Sequence, residues 1–328
     1  MDAFVAMPVG GTRESFFPPT LRERFESTFD VRWTDRDRQL SESELAEEVG
    51  EAEVLVTGWG SPQVTAAVLD AAPELQVLAH TGGSVATYAS AACYDRGVTV
   101  LSANDEMARF VAEQVVASVV AWRRRLPQFD RAMRDGEWDA GETVESLRGA
   151  DVGLVGLGTI GRFLLDHLQS WDVSVTVYDP YLDDGALDDW PFATRGELAD
   201  ALESDVVSLH ASLTPETEGM LGPDELARVP DGAVFVNTAR AALVDEAALR
   251  AELESGRIDA VLDVFHDEPL PADDPLREMN NVLLTPHTGG SRVRPPLTAS
   301  VLDDLERYER GEPLEHAVSR EQWQLMTR

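Results

Sequence analysis

A glycine-punctuated stretch at residues 152–161 constrains this chain more than any other. Val152-Gly153-Leu154-Val155 reads as a short apolar strand, and residues 162–171 as an apolar-rich helix. Between them Gly156, Gly158 and Gly161 fit G-x-G-x-x-G. Such glycines permit a tight turn, close backbone approach to a pyrophosphate and close packing of helix on strand. The helix N-terminus, at Thr159 and Ile160, supplies unpaired N–H groups and the positive end of a dipole. A chance glycine-rich turn can match the pattern, so its context decides. A second apolar strand, residues 173–178, ends in Asp179, eighteen residues after Gly161. There a carboxylate accepts hydrogen bonds from an adenosine ribose and repels a 2′-phosphate, which favours NAD over NADP. An empty βαβ unit with an acid at its strand end is the weaker reading.

The rest of the chain has the same rhythm. Strands are predicted at residues 3–9, 31–33, 52–57, 75–80 and 98–101, separated by helices at 20–28, 42–49, 62–72 and 87–96. Strands parted by helices of this length imply a parallel sheet covered on both faces, here a flavodoxin-like first unit. Residues 104–126 read as a long helix with an apolar stripe through Met107, Val111, Val115, Val119 and Trp122. Val116, Val120 and Ala121 widen that stripe, which suggests packing against a second copy. After Asp179 the pattern predicts helices at 195–202, 223–228 and 246–255 and strands at 206–210, 233–237, 260–264 and 282–285. A final helix at 297–309 is followed by a tail. The expected fold class is α/β with two parallel-sheet domains: residues 1–103 plus 291–328, and an inserted Rossmann dinucleotide-binding domain at 104–290. Gly289-Gly290-Ser291 and Pro295-Pro296 are expected to break regularity where the chain returns to the first unit.

The 328 residues include 60 acidic and 27 basic side chains, a net charge of −33, and every basic residue is Arg. With 43% hydrophobic residues this is no disordered acidic chain, so the charge must coat a folded surface. Self-repulsion of that size is relieved by salt, which points to a halophilic source. Nucleic acid and anionic membranes are poor partners, since no basic block is present. The only cysteine, Cys93, excludes an intrachain disulfide or cysteine-based zinc site and suits a reducing cytoplasm. No signal peptide is read at Met1-Asp2-Ala3-Phe4, and residues 110–122 are too short to span a bilayer. No metal site is expected.

Hydride transfer between a nicotinamide and an alcohol or ketone needs an acid/base, a means of polarising the carbonyl and an orienting clamp. Candidates lie after the later strands, where an open α/β sheet binds ligands. Arg240, in Asn237-Thr238-Ala239-Arg240, carries a guanidinium fork suited to a carboxylate, though a surface Arg in an acidic protein is an equal reading. His287 sits between Pro286 and Thr288-Gly289-Gly290, a backbone shaped to place it. Glu268, in Asp263-Val264-Phe265-His266-Asp267-Glu268-Pro269, can hold and charge that imidazole, a role open equally to Asp267 or His266.

Six signatures in order resemble the D-isomer-specific 2-hydroxyacid dehydrogenases. They are Gly156-Leu157-Gly158-Thr159-Ile160-Gly161, Tyr178-Asp179-Pro180, Leu213-Thr214-Pro215-Glu216-Thr217, Asn237-Thr238-Ala239-Arg240, Leu262-Asp263-Val264-Phe265 with Glu268-Pro269-Leu270, and Thr285-Pro286-His287. The resemblance implies a substrate domain built from both chain ends, an inserted NAD-binding domain, an active site in the cleft and a homodimer joined through the cofactor domains. It assigns the substrate carboxylate and C2 carbonyl to Arg240, acid/base work to His287 and its orientation to Glu268. Asp263 is implied at the nicotinamide carboxamide, with Thr238 and His210 beside the cofactor; for His210 a structural place is nearly as good.

Departures from the family pattern concern the substrate. Many members have Gly-x-Gly-x-Asp where this chain has Gly82-Gly83-Ser84-Val85-Ala86, so the N–H groups of Ser84 and Val85 remain candidates for the carboxylate and the acid is missing. Ala241 replaces a usual Gly, and Ser212 a usual Pro. Glu268 argues against a formate dehydrogenase, which has Gln there. With the chain ending at Arg328, no appended regulatory domain is expected. The resulting expectation is NAD-dependent interconversion of a small D-2-hydroxy acid and its 2-keto acid. The alternative is an NAD-sensing, corepressor-like binding protein on the same fold.

Overall fold

The computed structural model describes residues 1–138 and 143–327. Two compact units emerge, Met1–Ala108 with Ser291–Arg328, and Arg109–Gly290. The division therefore falls inside the helix Asn104–Arg123 rather than at its start, because that helix begins among the contacts of the first unit.

In the first unit β1 (Asp2–Val5), β2 (Asp30–Trp33), β3 (Val54–Thr57), β4 (Val77–His80) and β5 (Thr99–Ser102) form one parallel sheet in the order β2-β1-β3-β4-β5. This is the flavodoxin-like order, whose switch point lies between β1 and β3. Every residue of β3 and β4 is buried, as expected of strands covered on both faces. Phe4, Leu45, Leu55, Leu78 and Val100 share one core cluster. Cys93 is buried in it. A capping box at Ser41 and Glu44 starts the helix Glu42–Val49.

In the second unit β6 (Asp151–Val155), β7 (Ser174–Tyr178), β8 (Ala193–Arg195), β9 (Val206–Leu209), β10 (Val234–Asn237), β11 (Asp259–Leu262) and β12 (Val282–Leu284) are all parallel, ordered β12-β11-β10-β9-β6-β7-β8. The chain runs from β6 to one edge and returns to β6's other side as β9, giving the Rossmann switch point. Side chains alternate across this sheet. Leu154, Val206, Val236 and Val261 join one core cluster with Leu164, Leu165 and Val119; Val155, Val207, Phe235 and Leu262 join another with Leu202 and Leu253. Gly153 is required in β6, because a Cβ there would lie 1.7 Å from the Ala201 carbonyl oxygen.

Several elements differ from the sequence reading. The edge strand β8 is an addition to it. The long helix stops at Arg123 and a new one, Leu126–Arg134, begins after Arg125, whose φ of 53° is left-handed. Pro295-Pro296 do not break the last long helix but open it, since Arg294–Arg310 takes them into its first turn, where no N–H is needed. The tail holds a capped helix, Arg320–Leu325. Val116 and Val120 are partly buried against their own unit's core. Among the described residues no helix is long and apolar enough to cross a membrane.

Candidate active site

The second unit holds a nucleotide cradle at the carboxyl ends of β6 and β7. Gly156 has φ +97°, and a Cβ on it would stand 2.6 Å from the Ala211 nitrogen. Gly161 lets the helix Thr159–Leu168 settle on the loop, its virtual Cβ already 3.0 Å from the Gly156 carbonyl oxygen. Gly158 differs. It is the N-cap of that helix, and no atom lies within 4 Å of where its Cβ would be. Open space against backbone N–H groups of Thr159 and Ile160 is what a pyrophosphate needs. Asp179 is tied to the same loop, accepting from the Leu157 N–H (2.8 Å) and the Tyr181 N–H (2.9 Å). His210 follows β9; its Nε2 bonds the Ser208 hydroxyl at 2.8 Å, and Nδ1 is buried without a partner among the described residues. Burial pushes the imidazole down to about 4, so it is neutral at ordinary pH.

Three adjacent strands end level. Asn237 pairs with Leu262 and Leu262 with Leu284, so the residues that follow β10, β11 and β12 lie side by side. After β10, the buried Asn237 clamps its own turn: Oδ1 accepts from the Ala239 N–H and Nδ2 donates to the Arg240 carbonyl, each 3.0 Å. Arg240 is half-buried, and its Nη1 donates to the Ala239 carbonyl at 2.7 Å. Burial lowers its pKa, while the charge of Glu268 opposes the shift. The buried Thr238 hydroxyl in the same loop has no partner among the described residues.

His287 follows β12 and meets Glu268 from the loop after β11, with Nδ1 to Oε2 at 2.8 Å. Its own φ of 50° is left-handed, an uncommon conformation for a non-glycine residue and one that clusters at functional sites. The side chains are 47% and 37% exposed, so the pair lies open to small molecules. Glu268 Oε1 also accepts from the Phe265 N–H at 3.0 Å. Burial alone would raise the Glu268 pKa; the bonds from His287 and Phe265, with the charge of Arg240, outweigh it and leave the carboxyl below its usual range. Of the three loop residues that the sequence left open, Glu268 is therefore the one that bonds His287.

Asp263 anchors this arrangement. It is 1% exposed and accepts from the Thr285 hydroxyl, the Thr288 N–H (2.9 Å) and the Gly289 N–H (2.9 Å). The aspartate thus brackets His287 from both sides of its loop. Thr285 and Gly289 flank His287 in the sequence, but their bonds to Asp263 become visible only once β11 and β12 are known neighbours. Among the described residues, no group of three or more His, Cys, Asp or Glu could hold a metal ion.

Ser84 and Val85 belong to the first unit. Ser102 donates to the carbonyls of Gly82 (3.2 Å) and Gly83, and the Ser84 hydroxyl donates to the Thr327 carbonyl at 2.7 Å. Crowding by two rings forces Gly82, whereas the close neighbour of Gly83 is the flexible end of Met107. A Cβ on Gly82 would stand 2.5 Å from His80 Nε2, and one on Gly83 would stand 2.1 Å from Met107 Cε.

Comparison with known proteins bears on this geometry. The profile of the D-isomer specific 2-hydroxyacid dehydrogenase NAD binding domain matches residues 116–289. The chain belongs to this family. Its second unit is accordingly the family's NAD-binding domain. A D-3-phosphoglycerate dehydrogenase from Methanocaldococcus jannaschii is 32% identical over 85% of this chain and 54% of its own length. A glyoxylate reductase from Korarchaeum cryptofilum is 30% identical over 94% of this chain and 95% of its own. The chain spans about half the length of the phosphoglycerate dehydrogenases it matches. Among solved structures, the TT0316 protein from Thermus thermophilus superposes with a TM-score of 0.77 at 29% identity, covering 97% of this chain and 100% of that one.

Proposed function

We propose that this family member interconverts a small D-2-hydroxy acid and its 2-keto acid with NAD, and that Met1–Ala108 with Ser291–Arg328 forms the substrate domain. The observation that carries the reading is the 2.8 Å His287–Glu268 bond on the strand end next to Arg240. Bound NAD would supply the hydride acceptor, and NADH the donor, for chemistry at C2 of the acid. Arg240 donates two parallel hydrogen bonds to the substrate carboxylate and polarises the C2 oxygen. With Nδ1 held by Glu268, His287 exchanges the C2 hydroxyl proton through Nε2. Thr238 and Asp263 border the cofactor from the β10 and β11 ends, and the Ser84 and Val85 N–H groups offer a further carboxylate contact. Asp179, at the end of β7, supports NAD over NADP. The test is nicotinamide reduction with D- and L-2-hydroxy acids: a D-selective rate supports the reading, and none with either enantiomer refutes it.

Two further assignments accompany this one. The charge of −33 supports a halophilic protein and the single cysteine a cytoplasmic one, and the melting temperature is expected to rise by roughly 10 °C or more between about 0.1 and 1 M NaCl. A flat or falling curve in a thermal scan contradicts that. Leu126, Met133 and Trp138 are 54%, 51% and 89% exposed, apolar surface that supports a homodimer through the cofactor domain. Size-exclusion chromatography in molar salt giving only monomer would oppose it.

A further inference from the structure

Glu268 is carried by a loop that burial does not hold. Between Val264, which is 3% exposed, and Leu276, which is 6% exposed, no residue is buried. Only Phe265 and Leu270 pack in part against the core. Beneath them a cavity of about 30 Å³ separates the loop from the helix Glu246–Glu254, its walls including Leu249 and Arg250 of that helix. A gap of this kind gives up the dispersion attraction that would otherwise fix a loop in place. Glu268 is itself 37% exposed, so water competes for its bond to His287. The direction in which Glu268 points is therefore set by hydrogen bonds along its loop.

Two arginines of the same unit supply them. Arg277 donates from Nε to the Pro271 carbonyl at 2.7 Å and from Nη2 to the Leu270 carbonyl at 2.6 Å. These carbonyls lie two and three residues beyond Glu268. Pro269, Pro271 and Pro275 have no N–H, so the loop is poor in main-chain donors and its carbonyls turn to side chains. At the far end, Arg250 grips the Asp274 carboxylate with both arms of its fork, Nη1 to Oδ1 at 3.0 Å and Nη2 to Oδ2 at 2.8 Å. Asp274 Oδ1 also accepts from the Leu276 N–H at 2.9 Å, which starts the turn Pro275–Glu278.

Arg250 is one of many ion-paired arginines in a chain with 60 acidic residues. Arg277 differs from it. Among the described residues it forms no ion pair, and its two printed bonds go to consecutive main-chain carbonyls. On a surface where carboxylates abound, a guanidinium fork given to the backbone serves the shape of that backbone.

We propose that Arg277 is a positioning residue for the acid/base pair: by holding the Leu270 and Pro271 carbonyls it fixes the loop that presents Glu268 to His287. The Arg250–Asp274 pair fastens the other end of that loop. Arg277 touches neither substrate nor coenzyme and acts only through Glu268, an assignment that rests on the proposed dehydrogenase reaction.

The experiment measures kcat and KM in molar salt for the wild type, Arg277→Gln, Arg277→Lys, Glu268→Ala and the double variant Arg277→Gln/Glu268→Ala. The substrates are NADH and whichever of pyruvate, oxaloacetate and 3-phosphohydroxypyruvate the wild type reduces best. Arg277→Gln should lower kcat about tenfold, with KM and NADH affinity within about twofold, because misplacing a catalytic group costs rate rather than binding. Arg277→Lys should recover part of the loss. In the Glu268→Ala background the same Arg277→Gln change should alter kcat by less than about twofold, since nothing is left for it to act through. A similar loss in both backgrounds, or no loss in the wild-type one, overturns the proposal. Collapse of the thermal transition in Arg277→Gln overturns it too, by making Arg277 a residue of the fold. If the wild type reduces no keto acid, the dehydrogenase reading fails instead. In that case, and where Glu268→Ala is too slow to measure, crystal structures decide: Arg277→Gln should lose the 2.8 Å contact of His287 Nδ1 with Glu268 Oε2, and its retention overturns the positioning role.

Discussion

Replacing His287 with alanine is expected to lower turnover by about 10²- to 10⁴-fold while the affinity for NADH stays within about twofold. The expectation follows from its place. His287 meets Glu268 through Nδ1, at 2.8 Å, and both side chains stand open at the ends of β11 and β12. The glycine cradle that receives the coenzyme lies instead at β6 and β7. Removing the imidazole thus removes the proton carrier and leaves the cradle untouched. Glu268, whose folded pKa lies below its usual range, stays ionised as pH falls until that lower value is reached, so its bond to His287 contributes above its unfolded pKa and is lost only in stronger acid. Single-turnover kinetics with prebound NADH would check this, and an alanine variant with near-wild-type rate would remove His287 from the reaction.

Arg240→Lys is the second large effect. A lysine keeps the charge but offers a flexible point cation in place of a planar fork, so two parallel bonds to a carboxylate become one. The loss expected in kcat/KM is about 10- to 100-fold, as for hydrogen bonds to charged groups. It should appear in both kcat and KM, because the same fork binds the carboxylate and polarises the C2 oxygen. The clamp by Asn237 leaves the loop backbone able to keep its shape in the variant. Steady-state kinetics measure the split, and near-normal values for both constants would return Arg240 to the status of a surface arginine.

Much of this site is legible in the sequence, because its chemistry lies in short local strings after apolar strands. Arg240, Glu268 and His287 each follow a strand, and parallel strands of similar length end level. What escapes the sequence is long-range or weakly apolar. β8 is three residues, Ala-Thr-Arg, at a sheet edge, and offers almost no hydrophobic pattern. The helix Arg320–Leu325 does carry a legible signal, a capping box at Ser319 and Gln322, although its short apolar content makes it read as a tail. Asp263 is expected at the coenzyme; its grip on Thr285, Thr288 and Gly289 depends on which strands are neighbours.

The proposed role of Arg240, Glu268 and His287 is to support hydride chemistry on a 2-keto acid. Its most direct test is to mix the protein in molar salt with NADH and a panel of 2-keto acids and follow the nicotinamide absorbance. Oxidation of NADH with at least one acid is expected, with formation of an equal amount of the D-2-hydroxy acid. Tight binding of NADH with no oxidation by any acid would contradict it and leave a corepressor-like sensor in its place.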